Sequence, residues 1–400
     1  MIINSMKPCK FTINKATLAL FAVMAAMLPA ALLAEKLPDF LGKVQLHNFD
    51  GFEPTADGAG VTLYRLPAEV RSALSPEGAR QITHARSSEI RFVLNEGAKL
   101  EDVVIALKSN RNSRVMYYRG DELVGVIKGL PKKKDAEVYI PPSMRETYQV
   151  TKDDQAIEYS LKPAAIKPAP MTESSGDESA PRQFSEQVHR ILFNSGVITL
   201  TGIEGDIRPP REDEVPPVLV SYGTSISMGA AATSPDLSFT ALTARALGLD
   251  LRNLGVSGNA FCEPEMADYL AKQPGDLFLF EISVNMVGKG FEVDEFRKRA
   301  TYLIDTVAKA HPQTPVVCIS VLPYGQDQNE KTAARPREFR VALEEICRST
   351  PHKNVHFVDG TKLLSFEGLA KDNIHPTDAG HAEIAGKLIP QIQQILNQKK

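Results

Sequence analysis

Two hydrophobic periods divide this chain. Up to about residue 205, apolar residues come in short runs that alternate with polar ones, as in Val61-Thr62-Leu63-Tyr64-Arg65-Leu66, Glu89-Ile90-Arg91-Phe92-Val93-Leu94, Val103 to Leu107 and Leu123 to Ile127. These runs are rich in β-branched and aromatic residues and are separated by turn residues at fairly regular intervals, which predicts the strands of a sandwich or jelly roll. Arg114 to Tyr118 and Val188 to Leu200 read as further strands. From Val218 onward, apolar strands alternate with amphipathic helices. The strands are Val218 to Tyr222, Leu251 to Leu254, Asp276 to Ile282, Pro315 to Leu322 and Val355 to Val358; the helices are Ser238 to Leu247, Val293 to Ala310, Arg337 to Arg348 and Asp378 to Asn397. This order predicts a parallel sheet with helices on both faces, in which ligands bind beyond the carboxyl ends of the strands.

Composition marks the joints. Residues 1–34 carry Lys7, Lys10 and Lys15 ahead of an apolar run from Ala16 to Leu33, and the segment closes on small residues. This reads as a secretory signal peptide, with a retained N-terminal membrane anchor as the alternative; Pro29 and the small residues favour processing. Residues 35–206 form the expected β domain, with an exposed loop at about 162–182 that is rich in Pro, Ser and acidic residues and poor in large hydrophobics. Residues 207–217 are a Pro-rich linker, whose prolines exclude both helix and central strand, and 218–400 make the α/β domain.

A formal net charge of −3, with 24% charged residues, supplies no basic stripe for nucleic acid and fits a small-molecule or neutral polymer substrate. Beyond the leader lie Cys262, Cys318 and Cys347; an odd number in an exported chain is not a disulfide framework, although a Cys262–Cys347 bridge stays open. Cys318, in an apolar run, reads as a buried small hydrophobe.

Chemistry concentrates at the predicted strand ends. Tyr222-Gly223-Thr224-Ser225-Ile226 puts a serine on a tight turn after the first strand, before a helix expected to open beyond Gly229. That places the Ser225 hydroxyl at the sheet edge and its N–H at a positive helix end; the plainer reading is a turn or N-cap serine. Asn253-Leu254-Gly255-Val256-Ser257-Gly258-Asn259 lets the backbone turn and expose an N–H. Asn285, after the third strand, carries an uncharged amide donor suited to a developing oxyanion, or else forms an Asx turn or cap. Asp372 and His375 are spaced so that the carboxylate can orient its own imidazole, completing the three side chains that activate a serine; half of a metal site is the alternative. His381 reads as a capping or packing residue.

Gly223-Thr224-Ser225, the turn ending in Gly258, Asn285 and Asp372-x-x-His375 stand in the order of the four blocks of the SGNH hydrolases, the GDSL-like lipases and acylhydrolases, which residues 216 to 398 resemble. The pattern is similar to a bacterial subgroup with a β-rich N-terminal domain, whose opening Gly60 to Pro67 resembles. The resemblance implies a three-layer flavodoxin-like domain with Ser225 as nucleophile, His375 as general base and acid, and Asp372 orienting it. The N–H groups of Ser225 and Gly258 and the Asn285 amide would form the oxyanion hole, and no cofactor or metal is implied. Thr224 departs from the usual aspartate of the first block, and Ser283 and Met286 depart from the Gly and Asp of the third. The expected function is a secreted or periplasmic serine esterase acting through an acyl-enzyme on acyl, above all acetyl, esters of carbohydrates. A lysophospholipase, thioesterase or arylesterase is the first alternative, and a non-catalytic carbohydrate-binding protein the second. The chain has no Trp, which leaves Tyr117, Tyr118 and Tyr148 as candidate platforms for a sugar ring.

Overall fold

A computed structural model describes residues 37–110, 114–127, 148–149, 157–161 and 184–398. The leader at 1–34 and the loop at 162–182 lie outside them. The first half builds strands Gln45–His47 (β1), Gly51–Pro54 (β2) and Val61–Tyr64 (β3), then two short helices, Ala68–Ala73 (α1) and Pro76–Ile82 (α2). Ser88–Leu94 (β4), Val104–Ser109 (β5), Val115–Arg119 (β6), Glu122–Ile127 (β7), Tyr148–Gln149 (β8), Ile157–Leu161 (β9), His189–Phe193 (β10), Ile198–Glu204 (β11) and Ile207–Arg208 (β12) follow.

These strands form two antiparallel sheets, ordered β1-β4-β10-β6-β7 and β2-β3-β11-β5-β9-β8, with β12 paired to β4. Alternation decides what each face meets. Ile90 and Phe92 of β4, Ile191 and Phe193 of β10, and Val115 and Tyr117 of β6 join Val61, Leu63, Ile105, Leu107, Ile198 and Leu200 of the other sheet in one core. Glu89 and Arg91 of β4 point the other way, yet are also buried, because that face packs against the second half of the chain.

The second half contains Val218–Gly223 (β13), Phe239–Leu247 (α3), Asp250–Asn253 (β14), Pro264–Leu270 (α4), Leu277–Glu281 (β15), Val284–Gly288 (α5), Val293–Ala310 (α6), Val316–Ile319 (β16), Glu330–Ser349 (α7), Val355–Val358 (β17) and Asp378–Asn397 (α8). Its sheet is wholly parallel in the order β14-β13-β15-β16-β17, the flavodoxin-like arrangement. Along β15, Leu277 and Leu279 face α3 and α8, whereas Phe278 and Phe280 face α4, α6 and α7. Burial on both sides explains why these strands read as continuous apolar runs.

The Pro-rich segment at 207–217 is held by its own bonds: Glu214 accepts bidentately from Arg208 and from the Arg211 N–H, and Asp250 N donates to Pro217 O at 2.7 Å. Other expectations are corrected. α7 begins seven residues before its expected start and runs through Pro336. Tyr117 and Tyr118 are buried, with their hydroxyls bonded to His189 and Asp236, so neither offers a ring face to a sugar; the side chain of Tyr148 lies outside the description. Cys262, Cys318 and Cys347 are all buried free thiols.

Candidate active site

The switch in strand order falls between β13 and β15, whose following helices lie on opposite faces of the sheet, the position at which open α/β sheets bind their ligands. β13 ends at Gly223, and only glycine fits there: a Cβ would stand 2.3 Å from Glu281 O and 2.4 Å from Ser227 Oγ. The chain then closes tight turns, Met228 N to Thr224 O at 3.1 Å and Ala230 N to Ser225 O at 2.8 Å. Here the structure corrects a prediction: the next helix, α3, starts only at Phe239 with Ser238 as its N-cap, so no helix end lies behind Ser225. Ser225 is a turn residue, and its N–H has no acceptor among the described residues.

Beneath this turn lies Glu281, fully buried at the end of β15. Its Oε2 accepts from Thr224 Oγ1 at 2.6 Å, Ser227 Oγ at 3.0 Å and the N–H groups of Thr224 and Ser227 at 3.2 and 3.3 Å. Burial without a cation pushes its carboxyl above the usual range, against the pull of those four donors. Thr224, which departs from the family pattern, therefore anchors the turn to the neighbouring strand. Glu281 was missed by sequence reasoning, although a lone acid closing the apolar run Leu277 to Phe280 is a readable signal for a buried carboxylate that needs hydrogen-bond donors.

β14 ends at Asn253, whose amide joins two loops: Nδ2 donates to Ser227 O at 2.8 Å and Oδ1 accepts from Gly255 N at 3.0 Å. Downstream, Gly258 has φ +69° and nothing within 4 Å of where a Cβ would sit; its N–H has no acceptor among the described residues. Asn285 lies in the first turn of α5, and its Oδ1 accepts from Ala260 N at 3.1 Å. That bond fixes the amide and leaves Nδ2 without a protein acceptor among the described residues.

The loop before α8 holds the imidazole rigidly. Asp372 Oδ1 accepts from the N–H groups of Ile374 and His375, both at 3.0 Å, and Oδ2 accepts from His375 Nδ1 at 2.6 Å. Asn373 sits at φ +56°, and its carbonyl accepts from Gly325 N at 2.7 Å. With Nδ1 protonated toward the carboxylate, Nε2 accepts from Ser225 Oγ at 2.8 Å. Burial raises the Asp372 pKa, but bonds from the His375 ring and from the His375 and Ile374 N–H groups outweigh it and hold the carboxyl at about 2. The structure thus brings Ser225, His375 and Asp372 into one hydrogen-bonded line across 150 residues. Among the described residues, no group of three His, Cys, Asp or Glu side chains is arranged to hold a metal ion.

Residues 217–393 match the GDSL-like lipase/acylhydrolase family. This domain belongs to that family. The GDSL-like domain makes the chain an ester hydrolase, and the antiparallel half stands before it as a separate β domain. Solved structures similar in fold span both halves. The salicylyl-acyltransferase SsfX3 of a tetracycline biosynthetic pathway is 17% identical, with a TM-score of 0.64 over 88% of this chain and 95% of its own. A family two carbohydrate esterase from Cellvibrio japonicus is 15% identical, with a TM-score of 0.55 over 90% of this chain and 97% of its own. One from Clostridium thermocellum, in complex with cellohexaose, is 14% identical, with a TM-score of 0.53 over 88% and 99%. A search of curated proteins gave no match.

His381 lies apart from the Ser225–His375–Asp372 line and packs. It is fully buried, accepts from Phe239 N on Nδ1 at 3.2 Å, donates from Nε2 to Ala230 O at 3.2 Å and stacks on Phe239. Among the described residues no helix is long and apolar enough to cross a membrane.

Proposed function

We propose that the chain is an exported serine esterase that removes short acyl groups, above all acetyl, from carbohydrate esters. The observation that carries the reaction is the line from Ser225 Oγ through His375 to Asp372, at 2.8 and 2.6 Å. Ser225 Oγ attacks the ester carbonyl carbon while His375 Nε2 takes its proton. The electron pair displaced onto the carbonyl oxygen is received by the N–H groups of Ser225 and Gly258 and by Asn285 Nδ2, three donors with no acceptor among the described residues. Collapse expels the alcohol, which takes the proton back from Nε2, and leaves an acyl-serine. Water, deprotonated by the same nitrogen, then repeats the sequence to release the acid and restore Ser225.

Asp372 acts by orientation. It keeps the proton on Nδ1 and stabilises the imidazolium that forms in each half-reaction. Export is inferred from the basic and apolar leader. The carbohydrate reading is supported by the fold shared along most of the chain with two carbohydrate esterases, one holding cellohexaose. With Tyr117 and Tyr118 buried, recognition of a sugar would rest on hydrogen bonding more than on their rings.

The test is hydrolysis of p-nitrophenyl esters of increasing chain length, followed by acetate release from a panel of acetylated glycans. The wild type should prefer the acetate ester, and Ser225→Ala should lower turnover by at least about 10⁴-fold with an unchanged thermal midpoint. Equal rates in the two proteins would reject the mechanism. A preference for long acyl chains would reject the acetyl-glycan substrate and leave the mechanism standing.

A further inference from the structure

Two arginines of the β domain, Arg65 fully buried and Arg86 half-buried, donate no hydrogen bond to a carboxylate among the described residues, and both aim donors at the backbone of the GDSL-like domain. Arg65 is fully buried; its Nη1 donates to Gly255 O at 2.9 Å and to Asn253 O at 3.2 Å, while Nε is held by His84 O at 2.9 Å. Arg86 donates from Nε to Met228 O at 2.8 Å and from Nη2 to Gly229 O, and its Nη1 is fixed by Asn194 Oδ1 at 2.7 Å. The four acceptors are not scattered. Met228 and Gly229 close the turn that presents Ser225, and Asn253 and Gly255 open the turn that leads to Gly258.

These two turns are one unit. Asn253 Nδ2 ties them at Ser227 O, and a Cβ on Gly255 would stand 2.9 Å from Met228 N, so neither turn can shift without the other. Holding them together from behind requires a donor set that spans several buried carbonyls at fixed angles. A guanidinium does this, and an ammonium does so only in part. Burial lowers the pKa of Arg65 to about 9 and of Arg86 to about 10, so both stay charged at neutral pH. Each then places a poorly solvated positive charge behind a loop that faces a developing oxyanion.

We propose that Arg65 and Arg86 are positioning residues for the esterase reaction, by which the β domain holds the nucleophile turn and the oxyanion turn in register. The β domain is then a working part of the hydrolytic site and not a separable binding module. This inference rests on the roles given to Ser225 and Gly258 under Proposed function. A purely architectural role for the same bonds would change stability and leave turnover per folded site alone.

The experiment compares full-length wild type with Arg86→Lys, Arg86→Ala and Arg65→Lys. It records kcat and KM on p-nitrophenyl acetate, thermal midpoint, and the fraction of competent sites by titration with a fluorophosphonate. Displacing reacting groups by about 1 Å costs up to ~100-fold, so kcat per titrated site should fall by about 10- to 100-fold in Arg86→Ala, with KM changed little. Arg86→Lys should retain an intermediate rate. Added methylguanidinium should raise kcat of Arg86→Ala, whose site lies nearer the surface, and leave Ser225→Ala inactive. Unchanged kcat per titrated site in folded Arg86→Ala and Arg65→Lys would overturn the inference, whatever happens to the midpoint. If Arg65→Lys fails to fold, the two Arg86 variants decide. A wild type without Ser225-dependent activity would instead overturn the functional reading and this inference with it.

Discussion

At the scale of single residues, the candidate site is governed by which polar atoms are already committed. Asn285 shows this best. Its carbonyl oxygen is occupied by Ala260 N at 3.1 Å, which sets the orientation of the amide, and its N–H₂ is left with no acceptor among the described residues. Asn285→Ala should therefore lower kcat by about 100- to 1000-fold with little effect on KM, measured on a short-chain ester; a loss confined to KM would assign Asn285 to substrate binding. Glu281 obeys the opposite rule, since its Oε2 is saturated by four donors of the Thr224–Ser227 turn. Ser225, Asp372 and His375 were legible in the sequence because serine turns and Asp-x-x-His are local patterns. The bonds of Glu281 were not, because its partners are 54 and 57 residues away.

At the scale of elements, the rigid loop carrying His375 is built against the start of α8. Thr377 caps that helix through Gly380 N, and both its N–H and its hydroxyl donate to Gly368 O, at 2.9 and 3.0 Å. Gly380 allows the approach: a Cβ there would stand 2.2 Å from Gly368 O. Gly380→Ala should push the 368–377 loop away from the helix and misplace the imidazole. Its expected signature is a lower thermal midpoint together with at least about tenfold lower kcat. A variant that loses neither would show that the loop is held elsewhere. Helices α6 and α8 were readable to the residue, since each is long and amphipathic. The start of α7 was not, because Pro336 argues against helix on its amino-terminal side. In the fold Pro336 forfeits one backbone bond and is buried with Ala333 and Phe339. Helices α1 and α2 are too short to show a period, and their apolar residues Val70, Leu74 and Ile82 complete a core formed by the other domain.

At the scale of the whole molecule, the seam between the halves is polar, buried and paired. Arg91, fully buried on β4, bonds Asp250 at 2.6 and 2.7 Å across the seam and Glu89 at 2.6 Å on its own strand; Arg190 also bonds Glu89. Nearby His47 donates to Leu251 O at 2.7 Å, and burial, assisted by the Arg91 charge, lowers its pKa from 6.5 to about 4. Burial likewise lowers His189 and His381 to about 4. Each of these groups has a folded pKa below its unfolded one, so the unfolded chain binds protons first and stability falls as pH drops from 6.5 toward 4. The thermal midpoint should decline by at least about 5 °C between pH 7 and pH 4.5, before the carboxylates of the seam begin to protonate. A flat profile across that range, measured by calorimetry, would contradict the neutral burial of these histidines.

The sequence by itself determined the two classes of sheet and the short motifs that carry a serine, a carboxylate and an imidazole. Both are written locally: period decides whether a segment is a strand or a helix, and three- to seven-residue turns need particular residue types. Only the tertiary structure decided that Ser225 meets His375, that Thr224 answers to Glu281, and that Arg65 and Arg86 of the β domain reach the turns that follow β13 and β14. Those contacts join residues 57 to 190 positions apart. No periodicity encodes such pairs, because each depends on where complete elements come to rest against one another.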